Sequence, residues 1–106
     1  MALEDIAAAQ QRVIDVLRKR PRAGVSDDMP ASASWDGALR ARVSAGDGDV
    51  VVTDMPPEVG GGSTSVTPGW LLRAALASCA VTRIAMLAAS EGIVLRSLQA
   101  RATSRS

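Results

Sequence analysis

Apolar positions in the first twenty residues recur with a helical period. Leu3, Ile6, Val13, Ile14 and Leu17 share one face, with Gln11, Arg12, Asp15 and Arg18 between them, the pattern of an amphipathic helix. Pro21 stops it, since proline lacks the amide hydrogen and collides with the preceding turn. This N-terminal helix is expected within residues 1–22. After the turn-rich linker Asp27 to Pro30 the period shifts towards two. Ser32, Ser34 and Asp36 alternate with Ala33 and Trp35, and Leu39, Ala41 and Val43 with Arg40, Arg42 and Ser44. Gly46, Asp47 and Gly48 form a turn before the β-branched run Val50 to Thr53, so residues 31–54 read as a small antiparallel meander.

Residues 55–66 hold two prolines and the run Gly60 to Gly62, the marks of a loop that turns sharply or lies close to another backbone. Thr67 then caps a second helix with Pro68 at its first position, where the missing amide hydrogen costs nothing. From Trp70 to Leu87 apolar residues cover nearly the whole circumference, which predicts a buried central helix over 67–92. Gly92 is placed to end it in the left-handed conformation. Leu98, Ala100 and Ala102 share one face of a further strand expected over 93–103. The order helix, strands, loop, helix, strand gives an α+β fold class.

At 106 residues the chain has room for one domain, and a partner subunit eases burial at this size. Its only aromatic residues are Trp35 and Trp70, so the core is built from small aliphatic side chains. A net charge of +1 gives no reason to expect nucleic acid. The cluster Arg18, Lys19, Arg20, Arg22 sits where cations complement a helix dipole, without stacking aromatics. The N-terminus shows Glu4 and Asp5 instead of a basic leader, and Arg73 and Arg83 interrupt the span-length segment Trp70 to Ala89. A soluble, cytoplasmic protein is therefore expected. No histidine is present, which excludes a His-based triad and a Cys/His zinc site. The Asp47/Asp49 pair lacks the acidic residue that closes a calcium loop, and Lys19, the one lysine, is far from the glycine run, so neither calcium nor phosphate is expected there.

What remains is one thiol, Cys79. A free cysteine in an apolar helix is ordinarily a small hydrophobe. A functional one needs a cation or a helix N-terminus to favour the thiolate. Cys79 lies about three turns into its helix, too deep for the dipole to act strongly. Arg83, one turn on, and Arg40 or Arg42 from the meander are the candidate partners.

Three segments in order carry a resemblance: Asp54-Met55-Pro56-Pro57-Glu58-Val59-Gly60-Gly61-Gly62, then Val66-Thr67-Pro68-Gly69-Trp70 through Ser78-Cys79, then Ile84 through Glu91-Gly92-Ile93. This stretch, about half the chain, resembles the OsmC/Ohr family, and Ser34-Trp35-Asp36-Gly37 with the N-terminal helix is similar to one branch of it. The resemblance implies an intertwined homodimer of OsmC-like fold that reduces organic hydroperoxides through a cysteine, here Cys79, with no cofactor and no metal. Three positions depart from the pattern. Gly69 stands where the peroxidases carry a glutamate, the catalytic arginine has no fixed counterpart, and the second cysteine and second central helix would fall beyond Ser106. The alternative is a non-catalytic OsmC-like dimer binding a small apolar ligand, or a truncated remnant, with Cys79 as a core residue. A third class, a membrane-associated or helix-binding protein, rests on the basic amphipathic N-terminus alone. The expected partners include neither nucleic acid nor membrane.

Overall fold

The computed structural model describes residues 2–46 and 48–106. Asp47, and with it the turn assigned to Gly46–Gly48, lies outside the described residues. The elements are α1 (Leu3–Lys19), β1 (Ala31–Trp35), β2 (Ala41–Ala45), β3 (Gly48–Thr53) and α2 (Pro68–Ser90), with short 3-10 turns at Pro21–Gly24 and Pro57–Val59. This is an α+β architecture. The chain divides into two compact units, residues 28–74 and residues 1–27 with 75–106; α2 contributes to both.

In the discontinuous unit, α1 carries Glu4 and Asp5 in its first turn and Arg18 and Lys19 in its last, the order that its dipole favours. Leu3, Ile6 and Ala7 are half-buried, and the Gln10 amide donates to the Met86 carbonyl at 3.1 Å. The final turns of α1 are open to solvent. Pro21 breaks the helix, and the chain folds back so that Gly24 meets Leu17; a Cβ on Gly24 would lie 2.6 Å from a Leu17 methyl. α2 ends as its sequence predicts. Gly92 adopts φ 70, its amide donates to Ala89, and the Ile93 amide donates to Ala88 at 2.8 Å, the Schellman closure of a helix.

The continuous unit is a three-stranded antiparallel sheet in the order β1-β2-β3. Ser34 pairs with Arg42 and Trp35 with Ala41. Across β2 and β3, Val43 pairs with Val51 but Ser44 with Asp49, so the ladder is irregular at Val50 and β3 bulges there. The β1–β2 connection turns through Gly37 and Ala38, both with positive φ, and the Trp35 indole closes it by donating to the Ala38 carbonyl at 2.8 Å.

Four expectations change. The N-terminal helix stops at Lys19, because Pro21 withholds its amide, and residues 21–24 tighten into a 3-10 turn. The second helix starts at Pro68 and stops at Ser90. No strand forms over residues 93–103: they belong to the unit that holds no sheet, and a strand has no ladder to join without a neighbouring edge. Finally, α2 is not buried within the chain. Ala88 and Ala89 are its buried residues, while Leu72 and Leu76 are 66% and 60% exposed. A helix apolar all round needs cover on every side, and a three-stranded sheet with one short amphipathic helix supplies too little of it.

The glycine run is needed at particular positions. Gly60 has φ 95, and a Cβ on Gly61 would sit 1.8 Å from the Met55 carbonyl oxygen, so the loop backbone must pass here bare. Gly61→Ala should lower stability by about 2 kcal/mol or more, read as a shifted urea midpoint, whereas Gly48→Ala, which meets nothing within 4 Å, should shift it far less.

Candidate functional site

The segment between β3 and α2 is organised by one carboxylate. Asp54, 1% exposed, follows the last residue of β3. Its Oδ1 accepts from the amides of Met55 at 2.8 Å and Gly62 at 3.4 Å. Its Oδ2 accepts from the Thr64 amide at 3.1 Å and the Thr64 hydroxyl at 2.5 Å. The backbone reinforces the closure: the Asp54 amide donates to Val66, and the Ser63 amide to Met55. An ionised carboxylate is the one side chain that accepts from all these donors and donates nothing. The Thr64 hydroxyl, with the Met55 amide next, holds the Asp54 pKa down from 3.8 to about 2. Asp54 stood in the sequence only as the last residue of the meander and the first of the stretch that carries the resemblance, although an Asp preceding a Gly-rich turn with a Thr two residues beyond it is the available signal.

The loop delivers the chain to α2. The Trp70 amide donates to the Thr67 hydroxyl at 3.1 Å, so Thr67 is the cap. Gly69 lies in the first turn, and a Cβ there would stand 3.5 Å from an Arg73 guanidinium nitrogen. The position therefore has room for a side chain beside a cation, and the residue present supplies none.

Cys79 is exposed on α2. Its neighbours along the helix form a regular stripe: Leu72, Leu76, Cys79, Arg83, Met86 and Ser90 are all exposed, at alternating spacings of four and three. This is the 3.5-residue period of a helix–helix seam. Leu71, Ala74, Ala77, Val81 and Ala85, on the other side, are partly covered. Cys79 thus stands in the middle of an open apolar seam with Arg83 one turn further along it. By length and hydropathy α2 also meets the measure of a membrane span, with Arg73 and Arg83 inside it.

Arg40 and Arg42 belong to the sheet unit and converge on another partner. Asp36 Oδ2 lies 3.8 Å from Arg40 Nε and 3.6 Å from Arg42 Nη2, and Arg40 also donates to the Asp36 carbonyl at 3.1 Å. These groups are about 40% exposed, so each pair is worth well under 1 kcal/mol, but together they commit both guanidinium groups to the β1–β2 turn. The structure therefore groups Cys79 with Arg83 and groups Arg40 with Arg42 and Asp36. No cluster of three or more His, Cys, Asp or Glu side chains suited to a metal occurs among the described residues.

Because Asp54 has a lowered pKa in the folded chain, its contribution to stability is complete above about pH 4 and lost as pH falls through about 2. Urea midpoints should fall between pH 5 and pH 2, and the fall should be smaller in Asp54→Asn, which is less stable than the parent at pH 5. An equal fall in both would remove Asp54 from this role.

Comparison with protein-family models, with curated proteins and with solved structures returned no match.

Proposed function

We propose that this chain is an OsmC-like module that works as a homodimer in the cytoplasm and reduces organic hydroperoxides through Cys79. The observation that supports it is the open seam of α2. Pairing with a second copy along Leu72, Leu76, Cys79 and Met86 covers apolar surface that the chain leaves in water, at about 25 cal/mol per Å² removed. The same pairing encloses the thiol beside Arg83, whose charge opposes the cost of taking a thiolate out of water.

In this reading the Cys79 thiolate attacks the terminal oxygen of the hydroperoxide. The sulfur–oxygen bond forms as the oxygen–oxygen bond breaks, the alkoxide leaves with a proton from solvent, and Cys79 becomes a sulfenic acid. A small external thiol then condenses with it, releasing water, and a second thiol equivalent restores Cys79 and departs as a disulfide. Cys79 is the single cysteine of this sequence, so both reducing equivalents come from outside it.

A second reading has its own support. Gly69 offers no carboxylate, and Asp36 engages Arg40 and Arg42, which favours a non-catalytic OsmC-like dimer that holds a small apolar ligand between its subunits. Treatment with cumene hydroperoxide and dimedone separates the two: a stoichiometric adduct at Cys79 is expected for the peroxidase, and an unmodified thiol with no peroxide consumed would leave the binding module.

The dimer itself is tested independently of the chemistry. Leu76→Glu places a charge in the seam and should convert a sedimenting dimer to monomer, whereas Ser78→Glu, at an exposed position off the seam, should not. A parent chain that sediments as monomer at high concentration would refute the pairing.

A further inference from the structure

The final turns of α1 present a combination that the reading above leaves unused. Val13, Ile14, Val16 and Leu17 are all open to solvent, Val13 at 57%. With Ala9, Arg12 and Ala23, three of them line a shallow cleft of about 600 Å³ against the Pro21–Gly24 turn. At 100° per residue, Val13, Val16 and Leu17 occupy one arc, with Ile14 at its edge. Arg12 and Lys19 border the arc on one side and Arg18 on the other.

The charge at this end has a single sign. Residues 9–24 contain Arg12, Arg18, Lys19, Arg20 and Arg22 against one acid, Asp15. The Asp15 carboxylate accepts from the Gln11 amide at 3.0 Å. Among the described residues none of these five cations makes an ion pair. Their number exceeds what a helix dipole of about half a charge calls for.

We infer that the segment Val13–Arg22 docks on an anionic phospholipid surface, its aliphatic arc entering the headgroup boundary and its cations spread along the phosphates. The bordering Arg12, Arg18 and Lys19 have stems long enough to lie along apolar surface while their charged ends stay in water, the arrangement of an interfacial helix. Each cation near such a surface strengthens binding about fivefold. Single-stranded nucleic acid fits less well, since α1 carries no aromatic side chain for base stacking. The near-neutral charge of the whole chain conceals this patch.

The test is sedimentation of the purified full chain with vesicles of phosphatidylglycerol and phosphatidylcholine, and with vesicles of phosphatidylcholine alone. Binding to the anionic vesicles only is expected, weakening with added salt. Arg20→Gln with Arg22→Gln should weaken it about twenty-five-fold. Val13→Asp with Val16→Asp should abolish it while the far-UV circular dichroism of the chain is retained. Ile84→Asp, at an exposed position of α2 off the seam, should leave it intact. Equal binding to neutral vesicles, or loss of binding in Ile84→Asp alone, would overturn the inference by placing the contact on α2. Binding that survives Val13→Asp with Val16→Asp, or that soluble polyphosphate abolishes at matched charge, would overturn it in favour of simple polyanion capture. Should the paired aspartates unfold the chain, the arginine pair decides, since unchanged binding there equally refutes the electrostatic contact.

Discussion

The ordering of the loop between β3 and α2 depends on the ionised carboxylate of Asp54. Three amides and a hydroxyl converge on it, and without it a segment of two prolines and three glycines would have little to fix its path. Buried polar groups are tolerated only when fully partnered, and here the partnering runs in both directions: the loop satisfies Asp54, and Asp54 orders the loop. The bare backbone of Gly61 against Met55 and the Thr67 cap are downstream of that closure. The start of α2 is therefore set by hydrogen bonding, in a region where the sheet offers little apolar burial.

The rest of the chain shows what hydrogen bonding alone does not supply. Ala88 and Ala89 are the buried apolar residues among those described, and no large side chain joins them. The open surface is patterned and not random. On α2 it repeats every 3.5 residues, which suits a second helix; at the end of α1 it is edged with cations, which suits a charged plane. Two exposed apolar surfaces with different borders call for different partners, and the borders distinguish them better than their hydropathy does.

Much of the fold was legible in the sequence. Pro21, Thr67-Pro68 and Gly92 act through the local backbone, so the limits of both helices followed from them to within a few residues. The alternation over residues 31–54 gave the three strands, although the extra residue at Val50 that makes the bulge left no trace in the pattern. The strand expected over 93–103 failed because alternation states only which face a strand would have, and says nothing of whether an edge is at hand to receive it. Burial of α2 failed for the matching reason: composition shows that a helix requires cover but not that the chain contains the cover. At the candidate site, Cys79 and Arg83 were linked by helical spacing, which is local. Arg40 and Arg42 were read as cations of the meander that reach Cys79 across the core if their strand faces it, whereas Asp36, four residues from Arg40 and diagonal to Arg42 across the hairpin, engages both.

The division of the chain also sets an order of assembly. The sheet unit is a continuous run of residues joined by neighbouring hairpins, so its contacts are close in sequence and can form as soon as the segment is synthesised. The other unit needs residues 1–27 to meet residues from 75 onwards, a closure that must wait until the sheet has been made and that crosses a large loop. During synthesis α1 is thus made ahead of the sheet and of α2, and its contacts with residues beyond 75 form only after both. Throughout that interval its apolar face is free to engage whatever lies near the ribosome.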